Sequence, residues 1–160
     1  MTVEDVFSGA KSGLTMFFAY MGTVGEEIGM ERAIALDTKT CEAMGAAQGE
    51  MIKEQAGIEE FDVQTAGQML SSAIEQGYGI LSERMEETPR EVVLRVGRCP
   101  VYEAARALGM DDETIEASCR AGPVRFMDAI AKELNADLSY ELREFRSGAN
   151  EPCVEALTMA

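Results

Sequence analysis

The residues with the greatest chemical potential gather around one dipeptide. Cys99-Pro100 stands where an alternating run, Arg90 to Gly97, gives way to a helical one, and proline is favoured at the first position of a helix. That order makes Cys99 an N-cap. A thiol there meets unpaired backbone N–H groups and the positive end of the helix dipole, with Arg98 alongside. These influences favour the thiolate, the form that attacks carbon or binds metal. Tyr102 and Glu103 follow within a turn and would supply a proton donor and a carboxylate base. The competing reading of Cys99 is a small cap packed under a sheet.

Two further cysteines belong to the same half of the chain. Cys119 lies near the end of a helical run and Cys153 starts the last alternating one, just after Pro152. No pair forms a C-x-x-C knuckle, and separations of 20 and 34 residues lie outside tight zinc spacings. If a helix start, a helix end and a strand start meet at one end of a sheet, Cys99, Cys119 and Cys153 would suit zinc or an iron–sulfur cluster. Cys41 falls on a helical stripe with Ile34, Met44, Gln48, Met51 and Ile52, the position of a small core hydrophobe.

The chain of 160 residues has a formal net charge of −15 and no histidine. Without histidine there is no Ser-His-Asp or Cys-His triad and no His-ligated zinc, so chemistry falls to Cys, Glu, Asp, Tyr, Lys and Arg. The acidity argues against nucleic-acid or anionic-membrane partners, which require a basic face. It is also uneven: residues 1–89 carry 5 basic and 16 acidic groups, whereas residues 90–146 carry 9 and 11. Eight of the ten arginines lie in that second stretch. Arginine grips a carboxylate through two parallel hydrogen bonds, so Arg98, Arg143 and Arg146 are candidates to hold an anionic ligand, against the alternative of surface ion pairs. The opening Met1-Thr2-Val3-Glu4-Asp5 is acidic and unlike a secretory signal. The longest uncharged stretch, Ser12 to Gly25, is shorter than the roughly 20 apolar residues of a membrane span. A cytoplasmic protein is expected, with free thiols.

The elements that must position these residues divide into two textures. Helical spacing predicts helices from Glu4 to Met21, with Gly22 to Gly25 as punctuation, from Glu26 to Gln55 with Gly57 as C-cap, and from Asp62 to Gly77. From Tyr78 the pattern shortens. Tyr78 to Glu87 and Arg90 to Gly97, parted by Thr88-Pro89, predict one hairpin; Leu138 to Arg143 and Cys153 to Leu157 predict another. Between them come a helix from Pro100 to Leu108, one capped by Asp111, and one beyond Gly122-Pro123 reaching Leu134. The expectation is one α+β domain over residues 1–160, helical in 1–77, with about four antiparallel strands covered on one face by helices. The 11 methionines would fill core gaps or line an adaptable cavity. The long helix from Glu26 offers a surface on which a homodimer could form.

From Tyr78 onward, over about half its length, the chain resembles the L-2-amino-thiazoline-4-carboxylic acid hydrolase-like family. The resemblance rests on Cys99-Pro100-Val101-Tyr102-Glu103, Leu108-Gly109-Met110, Cys119, Leu134-Asn135, Leu138-Ser139-Tyr140, Phe145-Arg146 and Cys153. More distantly the chain is similar to 4-vinyl-reductase-type domains, small ligand-binding modules. The first resemblance implies hydrolysis of a C–N or C–S bond in a small carboxylate-bearing ring, with Cys99, Glu103 and Tyr102 at the reacting end and Arg98, Arg143, Arg146 and Asn135 around the substrate. The second implies a non-catalytic small-ligand or metal–thiolate domain using Cys99, Cys119 and Cys153.

Overall fold

A computed structural model describes residues 2–160. Three helices come first, α1 (Val3–Ile28), α2 (Met30–Ala56) and α3 (Val63–Tyr78), followed by the hairpin β1 (Ser82–Thr88) and β2 (Glu91–Val96). Three shorter helices, α4 (Pro100–Ala107), α5 (Asp112–Ala121) and α6 (Pro123–Leu134), lead to β3 (Leu138–Glu144) and β4 (Cys153–Met159). The predicted α+β order is therefore the observed one. Local chemistry explains the boundaries. Thr2 and Asp5 form a reciprocal capping box at α1, while Asp62 and Asp111 accept from the backbone N–H of Thr65 and Thr114 at α3 and α5. Gly57 and Gly79 close α2 and α3 in left-handed conformations.

Two boundaries differ from expectation. Gly22 to Gly25 do not punctuate α1; the break falls at Gly29, at φ +89. Gly25 lies within α1, and the end of the Met30 side chain occupies the space where its Cβ would be, at the corner between α1 and α2. Tyr78 ends α3 instead of beginning a strand, and β1 starts only at Ser82.

The strands form one antiparallel sheet in the order β1-β2-β4-β3. Because alternate residues of a strand face opposite sides, Val92, Leu94 and Val96 share a face with Leu138, Tyr140 and Leu142 and with Cys153, Glu155 and Leu157. Phe61, Val63, Leu70 and Ile74 at α3, and Met127, Ile130 and Leu134 on α6, cover that face and complete the main core. Ser139, Glu141, Arg143 and Arg95 point the other way and are exposed. A smaller cluster of Tyr102, Ala105 and Ile115, between α4 and α5, continues the core at one end.

Behind the sheet-facing layer, α2 lies along α6 at a distance that only glycine permits. A Cβ on Gly45 would strike the Phe126 carbonyl oxygen and lie 2.8 Å from the Ala129 Cβ; one on Gly49 would lie 2.6 Å from the Glu133 Cβ. Gly13 in α1 has open space around it. Gly45→Ala should therefore lower stability by about 2 kcal/mol, because steric strain outweighs the gain in helix propensity. Gly13→Ala should raise it by about 0.5–1 kcal/mol. Denaturant unfolding of both variants checks the pair.

Candidate functional site

Cys99 takes the predicted place. It is the N-cap of α4 in extended conformation, with Pro100 as the first helical residue. The backbone N–H groups of Val101 and Tyr102 face its sulfur, without closing a hydrogen-bonded cap. Its electrostatic state, however, departs from expectation. Burial pushes the thiol pKa up, and the opposing help from those N–H groups and from the Arg146 guanidinium does not reverse it. The expected thiolate is thus a desolvated thiol.

The other two cysteines converge on the same region. Cys99 packs against both the main core and the smaller cluster; Cys153 belongs to the first and Cys119 packs on the second. Burial raises the Cys119 pKa, and charge on Cys99 or Cys153 would raise it further. Among the described residues no group of three or more His, Cys, Asp or Glu side chains is placed to hold a metal ion. Cys99, Cys119 and Cys153 thus share one region without forming a zinc or iron–sulfur ligand set among the described residues. Cys41, half-buried in α2, donates to Asp37 Oδ1 at 3.6 Å; burial first, and Asp37 second, push its pKa up to about 12.

Two side chains that the sequence did not mark as site residues, Glu155 and Tyr140, complete the cluster. Glu155 of β4 lies on the helix-covered face between Leu94 and Leu142, and its Oε2 accepts a hydrogen bond from the Tyr140 hydroxyl. Burial raises the Glu155 pKa, against the lowering influence of Tyr140 and Arg146. Tyr140 is anchored in turn, since its backbone N–H donates to Asp128 Oδ1 at 2.9 Å and ties β3 to α6. The signal for Glu155 was present in Cys153-Val154-Glu155-Ala156-Leu157: strict alternation sets a carboxyl on the side of Cys153 and Leu157.

The predicted arginines separate. Arg146, just past β3, is 3% exposed, makes one hydrogen bond, to the Gly97 carbonyl at 2.7 Å, and lies 5.2 Å from the centre of the Tyr102 ring. Its field reaches Cys99, Cys119 and Glu155. Tyr102 is buried, donates to Asp112 Oδ1 at 2.9 Å and packs at 6.1 Å from Phe145. Arg143 is instead on the open face, paired with Glu141 at 2.9 Å and with Glu91.

Arg98 points away from its neighbour Cys99. Its Nε donates to Glu103 at 2.6 Å, its Nη1 to Glu4 at 3.0 Å, and its guanidinium sits 4.0 Å over the Phe7 ring. Lys11 Nζ donates to Glu103 at 2.9 Å. The base role expected of Glu103 is not supported, because the Arg98 hydrogen bond holds its carboxyl below the usual range and commits both oxygens to fastening α1 onto α4. Asn135 is structural as well. Its Nδ2 donates to the Phe61 carbonyl and its Oδ1 accepts from the Asp137 N–H, both at 2.9 Å.

Together these elements define an α+β domain in which three thiols, a carboxyl, a phenol and one guanidinium share the end of a half-covered sheet. The family described as L-2-amino-thiazoline-4-carboxylic acid hydrolase matches residues 10–142, and the chain belongs to that family. The match extends into the helical half, beyond the stretch that carried the resemblance, and stops before Cys153 and Glu155. No curated protein matches the chain. Among solved structures, the phenol-responsive sensory domain of the transcription activator PoxR, determined with phenol, is similar at TM-score 0.65 and 11% identity, covering 91% of this chain and 74% of that one. A trafficking protein particle complex subunit 3 from Naegleria fowleri, covalently bound to palmitic acid, is similar at TM-score 0.58 and 13% identity, with 94% and 96% covered. At these identities the likeness is one of fold. No helix among the described residues is long and apolar enough to cross a membrane.

The raised thiol pKa values carry a chemical prediction. At pH 7–8 a water-soluble disulfide reagent should modify native Cys41, Cys99 and Cys119 slowly, at a small fraction of the rate measured in denaturant. Stopped-flow absorbance, with peptide mapping of the modified sites, checks this.

Proposed function

We propose that the protein hydrolyses a small carboxylate-bearing thiazoline, or a related ring with a scissile C–N or C–S bond, at the cluster beneath Cys99. Family membership supports the reaction class, and the observation that carries the site is Arg146. A guanidinium has five N–H donors, and this one is buried with a single hydrogen bond, to Gly97. Beside it the Tyr102 ring and the Cys99 and Cys119 thiols supply apolar and polarizable walls. A ring carboxylate fits that setting, since a charge-assisted pair in a desolvated site is stronger than one in water. Arg98 and Arg143, each already paired with carboxylates, have no such capacity. Cys99 is a wall of the site in this reading, because its protonated thiol is a weak nucleophile.

A second reading is favoured by that same desolvation. With the Cys99 thiol pKa raised by burial and Glu103 committed to Arg98 and Lys11, a domain that binds a small molecule without turning it over needs no ionised nucleophile. The ligands of the similar structures, phenol and palmitic acid, accord with small-molecule binding. The two readings separate on one assay. Hydrolysis predicts consumption of 2-aminothiazoline-4-carboxylate by the purified protein, and Arg146→Met should raise KM by at least about tenfold. Binding alone predicts a calorimetric signal with no product.

A homodimer is part of this proposal. Leu36, Met44 and Met51 are exposed on α2, away from the glycines that meet α6. Sedimentation should give twice 17.4 kDa, and Met44→Glu should return the protein to a monomer.

A further inference from the structure

The face of the sheet turned away from α3 and α6 carries a groove. Strand register sets Val93 and Arg95 of β2 on that side, with Glu86 of β1 opposite Val93 and Val154 of β4 opposite both Arg95 and Glu144. With the segment that joins β3 to β4 these residues enclose about 590 Å³, a volume within the range of small-molecule sites. The floor is apolar. Val93 is only 8% exposed, and Phe145, which packs 6.1 Å from the Tyr102 ring, lines the groove from the β3 side. From the β1 side comes Met85, half exposed, at the irregularity in the pairing of β1 with β2. A bulge re-aims a side chain, and a methionine thioether adapts to apolar bodies of different shape.

The rim is acidic and unanswered. Glu86, Glu144 and Glu151 border the groove, and among the described residues none of the three has an ion-pair partner. The other carboxylates of this face are matched, Glu83 with Arg95 and Glu91 and Glu141 with Arg143. Arg95, the one basic residue of the groove, is therefore already engaged, at 3.8 Å. An anionic ligand is repelled by such a rim, and a bare metal ion finds no group of three carboxylates placed to hold it among the described residues. We propose that the groove binds a small organic cation, an ammonium on a hydrocarbon body. The hydrocarbon lies on Val93, Val154 and Phe145, where it leaves water, and the ammonium meets Glu86, Glu144 and Glu151. An aromatic ring at the floor adds the attraction of a π face for a cation. This site needs neither Arg146 nor Cys99, and its ligand has the opposite charge to the ring carboxylate assigned to Arg146.

The probe is n-octylammonium, with n-octanoate, n-butylammonium and calcium chloride for comparison. Amide chemical shifts locate binding and calorimetry measures it, at pH 7 and low salt. Octylammonium should shift the amides of Val93, Val154 and Ser147, and its affinity should fall as salt is added. Butylammonium should bind about tenfold more weakly, because a shorter chain covers less of the floor. Replacing two exposed carboxylates together, Glu86→Gln with Glu144→Gln, should weaken octylammonium about fivefold, whereas Glu50→Gln on α2 should change nothing. Octanoate binding as tightly at the same amides, calcium alone shifting them, shifts scattered over the acidic helices, or no binding at millimolar octylammonium would each overturn the proposal. So would a sedimentation mass that falls as octylammonium is added, since a second copy of the chain would then be the occupant of the groove.

Discussion

One constraint organises this molecule: a single face of a four-stranded antiparallel sheet must be removed from water beneath α3 and α6. Strand alternation then decides what every residue of β2, β3 and β4 meets. It places Leu94, Leu142 and Leu157 inside and Arg95, Glu141 and Arg143 outside. It also carries Tyr140, Cys153 and Glu155 inward. The polar groups at the end of the sheet are therefore intrinsic to the core, and their protonation is governed by desolvation more than by neighbouring charge.

That ordering changes the chemistry available to a chain without histidine. A helix N-terminus and a nearby guanidinium are the usual means of obtaining a thiolate, and both are present at Cys99, yet burial prevails. The same burial raises the Glu155 carboxyl above its ordinary range, against the opposing influence of Tyr140 and Arg146.

The legible parts of this sequence were those decided within a few residues. Pro100 announced the cap at Cys99, Asp62 and Asp111 announced two helix starts, and alternation announced both hairpins. The parts that were missed depend on distant partners. Gly22 to Gly25 resemble a breaker, yet α1 runs through them and turns only at Gly29, with the Met30 side chain packed against Gly25. Glu103 looks like a base one turn from Cys99, but Lys11, 92 residues earlier, and Arg98 occupy it. Arg146 could not be told from Arg143 by sequence, although one became a buried cation and the other a surface pair. Glu155 was readable in principle, since its strand parity matches that of Cys153 and Leu157.

The attachment of α1 has a consequence for how the molecule loosens. This helix of 26 residues has one fully buried side chain, Phe7, while Met16 and Tyr20 stand in solvent. Much of its hold on α4 is ionic, through Arg98 and Lys11 on Glu103, with Phe18 resting on the small cluster beside Cys99 and Cys119. Ion pairs at a surface weaken as salt is added, whereas the leucines and valines under α3 and α6 do not depend on it. The free energy needed to detach α1 is accordingly smaller than that needed to part the sheet from its helices. Hydrogen exchange would register α1 as a separate, salt-sensitive opening unit, one whose excursions uncover the thiols while the fold beneath stays closed.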